Sequence, residues 1–324
     1  MENNIIVSIK CLTYNHEPFI RQCLEGFVMQ KTTFRFEAIV HDDASTDNTA
    51  RIIQEYADKY PDIIKPLYEN ENQYSKHDGA LDRIVDSHLK GKYIAICEGD
   101  DYWIDPYKLQ KQVDFLEANQ DFGLVHTAFD YLGDDVNLNE CSEDTTKRNL
   151  EIINNKEDLI YSILDGNRYR IQTLTVLIRS DIYTKVVGEL KSYNSLFLMG
   201  DTQLWVAISS YSKIKFLPEI TSVYRLHRGS ACHQEDLRKK FRFLLSCSEM
   251  RVFMSKKYLH DVGKLSRFQK EYKRALIKYK CLDDSYKPFI ELQFNSYFEE
   301  LMFKVLSLKP VQIILRQIMY IIYK

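Results

Sequence analysis

IIVSIKCLTYNHEPFIRQCLEGFVMQKTTFRFEAIVHDDASTDNT, residues 5–49, reads as a β-branched run, an amphipathic stretch and a second β-branched run that ends in a polar turn. Residues 5–12 and 36–42 are predicted strands, 17–30 is a predicted helix, and 47–60 is a second helix that Ser45 or Thr46 could cap. The rhythm continues with a strand over 63–68, a helix within 78–90, a strand over 92–97 and a helix over 107–118. Strands and helices alternating at this spacing build an α/β layer with a mainly parallel sheet. The right-handed crossover rule then brings the strand C-terminal ends to one edge.

Further along, GDDVNLNECSEDTTKRN (133–149) is polar and acidic and reads as a surface loop. TLTVLI (173–178) is a predicted strand, a helix follows with Trp205 near its middle, and KIKFLPEITSVYRLH (213–227) closes the mixed domain. From about residue 234 the chain turns to Lys/Arg-rich helical patterns. Residues 237–324 carry 19 Lys+Arg and 8 Asp+Glu, a balance of +11, so the net charge of −2 leaves −13 for the rest. Two regions with different partners are expected: 1–232, a mixed α/β domain, and 233–324, a helical region that associates with membrane or oligomerises.

Hydrophobic residues at 45% and charged residues at 28% exclude a disordered, collagenous or coiled-coil chain. The seven cysteines, Cys11, Cys23, Cys97, Cys141, Cys232, Cys247 and Cys281, are odd in number and contain no C-x-x-C pair. A reduced, cytoplasmic chain is the simplest expectation. MENNIIVSIK has no secretory pattern and no window has 18 uncharged apolar residues, so neither an export signal nor a conventional span is expected. No nucleic-acid partner is expected.

Three polar clusters follow predicted strands: Thr13-Tyr14-Asn15, Asp42 to Asp47, and Glu98-Gly99-Asp100-Asp101. Ligands of open α/β sheets bind at the carboxyl ends of strands, so these loops should meet in one crevice. Ser45, Thr46 and Asp47 serve equally well as helix caps. Three carboxylates within four residues repel one another unless a cation shares them, and oxygen ligands suit Mg²⁺ or Mn²⁺. A solvated acidic turn is the alternative.

VSIKCLTYN, FEAIVHDDASTDNT and GKYIAICEGDDYW, in that order, resemble the three N-terminal signatures of glycosyltransferase family 2, the inverting nucleotide-sugar-dependent enzymes of the GT-A fold. GDTQLWVAISSYSKIKFLPEITSVYRLH (200–227) resembles the second half of that domain, so the likeness covers roughly residues 5–230. The expected fold is a Rossmann-like mixed, mainly parallel sheet with flanking helices, followed by the basic helical region.

The resemblance implies roles for individual residues. Thr13, Tyr14 and Asn15 would meet the nucleotide, with Tyr14 stacking on the base, and Asp43 would accept the uracil N3 proton. A core position for Tyr14 and a helix cap for Asp43 are the alternatives. Glu98-Gly99-Asp100 stands where the family has D-x-D, with Glu replacing the first Asp. Asp100 would bind the metal, and Glu98 would reach the ribose or a metal-bound water. Asp101 and Trp103 belong to the sugar and acceptor region, although Trp103 also suits a core. Lys76 matches a basic nucleotide contact loosely and reads equally as an exposed lysine. Asp201 occupies the position of the general base, or caps a helix, and His227 that of a third metal or pyrophosphate contact.

The expected function is therefore metal-dependent inverting transfer from a nucleotide-sugar, with UDP-sugar favoured, to a saccharide acceptor. A sugar-nucleotide pyrophosphorylase and a catalytically silent binding module are the alternatives. The first wants a glycine-rich cradle after strand one, where this chain has TYNHEP; the second is disfavoured because Asp100 and Asp201 are present. Residues 298–324 carry Lys304, Lys309, Arg316 and Lys324 among apolar residues. They suit an interfacial helix at the inner face of a membrane, with a lipid-linked acceptor, or a helix packed on the domain.

Overall fold

The computed structural model describes residues 4–76, 78–133, 145–150, 155–166, 168–193, 196–227, 236–288, 290–292, 294 and 296–322. Eight strands form one sheet: β1 (Ile5–Thr13), β2 (Arg35–Asp42), β3 (Ile64–Tyr68), β4 (Tyr93–Ile96), β5 (Tyr102–Trp103), β6 (Phe122–Leu132), β7 (Leu177–Arg179) and β8 (Lys213–Arg225), in the order β3-β2-β1-β4-β7-β6-β8-β5. The β3-β2-β1-β4 half is parallel. β7 runs antiparallel between β4 and β6, β6 and β8 pair in parallel, and β5 lies antiparallel on β8.

Successive residues of β4 enter opposite layers, as the two-residue period of a strand requires. Tyr93 and Ala95 join a core with α1 (Ile20–Val28), α2 (Thr49–Lys59) and α4 (Lys108–Ala118). Ile94 and Ile96 join a second core with α5 (Lys156–Asp165), α6 (Ser180–Leu190) and α7 (Asp201–Tyr211). Lys10 sits inside central β1 because Asp82 and Asp86 of α3 (Ala80–Asp86) each meet its ammonium at 2.8 Å. The second core continues into α8 (Leu237–Tyr258) and α9 (Val262–Lys280), so Phe241, Leu245, Phe268 and Tyr272 are buried together with Trp205 and Tyr161. Helices α10 (Tyr297–Leu306) and α11 (Lys309–Ile322) follow. No helix among the described residues is long and apolar enough to cross a membrane.

Several expectations are corrected. β6 is an eleven-residue strand where none was expected, because Gly123, His126, Thr127 and Asp130 break its apolar run. Residues 145–149 of the expected loop are helical, and 134–144 lie outside the described residues. The expected strand over 173–178 is a 3-10 turn at Thr173–Thr175 followed by β7, since the Thr175 amide and hydroxyl both donate to the Gln172 carbonyl. Neither Ser45 nor Thr46 caps α2. Asp47 Oδ1 accepts from the Thr49 amide at 2.9 Å, while the Ser45 hydroxyl accepts from the Asn15 amide.

Candidate functional site

Because β1, β2 and β4 are parallel neighbours, the loops after them leave the sheet at one edge. Backbone hydrogen bonds continue beyond the strands and join these loops: the Asp43 amide donates to the Thr13 carbonyl and the Gly99 amide to the Leu12 carbonyl, both at 3.0 Å. The first loop turns at Asn15 (φ 54°) and the second at Ala44 (φ 60°). Asn tolerates this left-handed region, whereas Ala holds it at about 1 kcal/mol. Gly99 is required by space, since a Cβ there would lie 2.5 Å from Thr13 Cγ2 and 2.9 Å from His16 Nδ1.

The carboxylates of the third loop have different surroundings. Glu98 accepts a 2.6 Å hydrogen bond from the Thr173 hydroxyl. Burial, followed by the charges of Asp100 and Asp201, pushes it up to about 7 against that hydrogen bond. Asp101 is buried, its Oδ1 accepts from the Arg225 amide at 2.8 Å, and burial together with Asp100 and Glu98 holds its pKa well above the usual carboxylate range. Asp100 faces the crevice with Oδ2 3.0 Å from His227 Nε2. The Phe19 ring lies 4.6 Å from the His227 ring. Arg225 ties the loop from below: Nη1 donates to the Asp100 carbonyl at 2.6 Å, and the guanidinium lies 4.5 Å from the Tyr102 ring.

Asp201, half-buried in the first turn of α7, lies near enough for its charge to act on Glu98. Its Oδ1 accepts from the Thr202 amide at 2.6 Å. Burial nevertheless raises its pKa, outweighing the Thr202 hydrogen bonds and the Arg170 charge.

The nucleotide side is more exposed. Tyr14 is 45% exposed, while the Thr13 side chain is buried and donates to the His41 carbonyl at 3.0 Å. The Asn15 side chain accepts from the Thr46 amide at 2.8 Å. Asp43 is buried, with one oxygen accepting from the Gln73 amide at 2.6 Å and the other from the Tyr74 amide at 3.0 Å. A base N–H would use a remaining lone pair. Lys76 pairs with Glu71 at 2.5 Å and donates to Gln73 at 3.0 Å. Trp103 is corrected to a core residue: it is 2% exposed, its indole N–H donates to the Leu174 carbonyl at 2.8 Å, and Phe27 meets it edge-on.

Four residues in or beneath this site escaped the sequence reading. Thr173 and Arg225 hold the acidic loop. His16 stands beside it with Nδ1 buried and without a hydrogen-bond partner among the described residues, its pKa lowered by burial. Lys108 is fully buried under Trp103, 4.6 Å from the ring, and donates to Gln112 at 2.7 Å and to the Thr175 carbonyl at 3.3 Å. The only available signal was position after a strand, and Thr173 and Lys108 lack it.

Asp100 Oδ2 and His227 Nε2 put one oxygen and one nitrogen donor together, which fits a divalent cation. Among the described residues no group of three or more His, Cys, Asp or Glu side chains is arranged to hold a metal ion. A cation here would therefore take most of its ligands from phosphate and water, as Mg²⁺ commonly does. A cavity of about 690 Å³ lies elsewhere, at the starts of β6 and β8, and shares no residue with this cluster.

The sequence model described as Glycosyl transferase family 2 matches residues 8–182. An uncharacterised protein of Mycobacterium tuberculosis is 35% identical over 231 residues, 70% of this chain and 60% of the relative, so the chain spans about 60% of that protein's length. The minor teichoic acid biosynthesis protein GgaA of Bacillus subtilis is 25% identical over 96% of this chain and 68% of its own. The UDP-Glc:alpha-D-GlcNAc-diphosphoundecaprenol beta-1,3-glucosyltransferase WfaP of Escherichia coli is 33% identical over 36% of this chain and 43% of its own. Two solved structures share the fold at 15% identity. S. aureus TarS 1-349 in complex with UDP-GlcNAc has a TM-score of 0.54 over 85% of this chain and 73% of that one. The mannosyltransferase PcManGT from Pyrobaculum calidifontis in complex with GDP-Man and Mn²⁺ has a TM-score of 0.57 over 96% and 83%.

Proposed function

The chain belongs to glycosyl transferase family 2, and on that premise we propose that it is an inverting enzyme that moves a sugar from a UDP-sugar to a hydroxyl of a lipid-linked saccharide. The observation that carries this reading is that Asp201, a carboxylate of raised pKa, lies near enough to the Glu98–Asp101 loop for its charge to act on Glu98. UDP as carrier is supported by TarS, and the lipid-linked acceptor by the name of WfaP. Residues 1–232 would form the catalytic domain and 233–324 an appended helical region.

In this mechanism Asp201 takes the proton of the acceptor hydroxyl as its oxygen attacks the anomeric carbon from the face opposite the diphosphate. The bond from that carbon to the diphosphate oxygen breaks, and the leaving group departs with the electron pair. Burial raises the basicity of Asp201, the direction a general base needs. Asp100 and His227 would hold Mn²⁺ or Mg²⁺, which when bound neutralises charge on the diphosphate. Tyr14 would stack on the base, Asn15 and Thr13 would shape the loop beneath it, and Asp43 would read the uracil N–H. Lys76 would add a cation at the loop's rim. Glu98, held by Thr173, would face the ribose across Gly99, and Asp101, through the Arg225 amide, would keep Asp100 in place.

Thermal stabilisation by a panel of nucleoside diphosphates tests this reading. UDP should raise the melting temperature more than GDP or ADP and more with Mn²⁺ than with EDTA, because a ligand that binds only the folded state stabilises it by mass action. Asp100→Ala should remove the metal dependence. No response to any diphosphate would overturn the proposal, and a larger response to GDP would overturn the uridine assignment.

A further inference from the structure

Helices α10 and α11 turn one face to the molecule and leave the other uncovered. Inward, Phe303 and Leu315 pack on the core that includes α9, Met319 is buried in it, and Glu299 meets Lys273 of α9 at 2.7 Å. Outward stand Leu301, Met302, Val305 and Leu308, then Ile313, Ile314 and Ile318, each 41–59% exposed. Leu301, Val305 and Leu308 recur at helical spacing, as do Ile314 and Ile318, so these are stripes rather than scattered residues. An apolar surface of this continuity marks an interaction site.

Its charges narrow the partner. Residues 301–322 include no Asp or Glu, and their cations are Lys304, Lys309 and Arg316. The lysine side chains are 66% and 84% exposed, and their contacts to Glu300 (2.6 Å) and Asp284 (4.0 Å) are weak surface pairs. Arg316 has a different job: its Nε donates to the Cys281 carbonyl and fastens α11 to the end of α9. The sequence expectation that Arg316 meets headgroups is corrected accordingly, and Lys324 lies outside the described residues. A second copy on this face would set Lys304 and Lys309 against like lysines, offset only by the flanking Glu300 and Asp284. An anionic bilayer offers an apolar interior and a negative surface at the depth these side chains span.

We propose that the outer face of α10 and α11 docks on an anionic lipid bilayer, with the seven apolar side chains entering the acyl boundary and Lys304 and Lys309 meeting headgroup phosphates. Delivery of a lipid-linked acceptor to the crevice rests on the functional reading above, whereas docking does not, so the two can fail separately.

Co-sedimentation of the full chain with phosphatidylcholine vesicles, with and without phosphatidylglycerol, tests the docking. Binding should need phosphatidylglycerol and fall with salt. Lys304→Gln with Lys309→Gln should weaken it by roughly thirtyfold, from two basic residues at a charged surface. Ile313→Glu with Ile314→Glu and Ile318→Glu should weaken it by about a hundredfold or more and leave the UDP-induced melting shift unchanged. Ile313→Gln with Ile314→Gln supplies the milder test if the triple variant does not fold. Absence of binding to phosphatidylglycerol vesicles, or wild-type binding by both isoleucine variants, overturns the proposal. So does a dimer seen by light scattering that the isoleucine variants split, which would assign the face to a second copy.

Discussion

Asp43 and Asp101 at the carboxyl edge of the parallel half-sheet are almost wholly buried, whereas Ile313 and Ile314 on α11 are 59% and 57% exposed. Each region reverses the ordinary partition of polar and apolar groups. At the sheet edge the reversal is stabilised from within. Asp101 takes the Arg225 amide, Asp43 takes two backbone amides, and Glu98 takes the Thr173 hydroxyl. On α10 and α11 nothing within the described chain completes the surface. The proposed site for chemistry is thus finished by the fold, while the proposed docking face would be finished by its partner.

If that contrast is right, the largest effect of a small change should come at the sheet edge and should spare stability. Asp201→Asn keeps the shape of α7's first turn but cannot accept a proton. Transfer should fall by about 10³-fold, while the melting temperature and UDP response stay near wild type. Near-wild-type transfer in a sugar-transfer assay would put the base elsewhere. A large fall in melting temperature would make Asp201 a fold residue and break the contrast.

The two regions were legible to different degrees. The three loops of the crevice could be read because each follows a strand directly, and parallel pairing converts sequence position into a shared edge. Thr173 could not be read this way, because it reaches Glu98 from a 3-10 turn 75 residues away. β6 was lost because His126 and Thr127 look polar in sequence. In the structure both are buried, His126 against the Tyr169 hydroxyl at 2.9 Å and Thr127 against Thr221 at 2.7 Å. Trp103 was placed between pocket and core by sequence, and only the Leu174 carbonyl and the Phe27 ring decide for core. On α10 and α11 the periodicity was visible, but only packing on α9 identifies the outer face.

A middle-sized effect should appear at Lys108, a buried polar group outside the proposed chemistry. Burial lowers it from its ordinary value to about 7. From about pH 10 down to about pH 7 the unfolded chain binds a proton there that the folded chain does not, so this residue's contribution to stability falls as pH falls. Lys108→Met lacks that loss but leaves the Gln112 and Thr175 oxygens one donor short. Measured by denaturant unfolding, the difference between wild type and Lys108→Met should move by about 2 kcal/mol in favour of wild type between about pH 7 and pH 9. A difference independent of pH would mean that Lys108 stays charged in the core, held by its carbonyl partners and the Trp103 face.

The smallest effect should come from the outer face of α11, and its smallness is the sharpest test of the contrast. Ile313 and Ile314 point away from the α9 side of the helix, where Gln312, Leu315 and Met319 make the contacts. Exposed side chains that touch little contribute little to folding, and Gln is a good helix former, so Ile313→Gln with Ile314→Gln should change stability in aqueous buffer by no more than about 0.5 kcal/mol. An ordinary core isoleucine replaced by a polar residue would lose several times that. Chemical denaturation of both proteins without vesicles measures the difference. A loss of about 2 kcal/mol or more would mean that the face is covered within the folded chain. The exposed isoleucines would then be part of the core, and the two regions would no longer differ in how their reversed surfaces are completed.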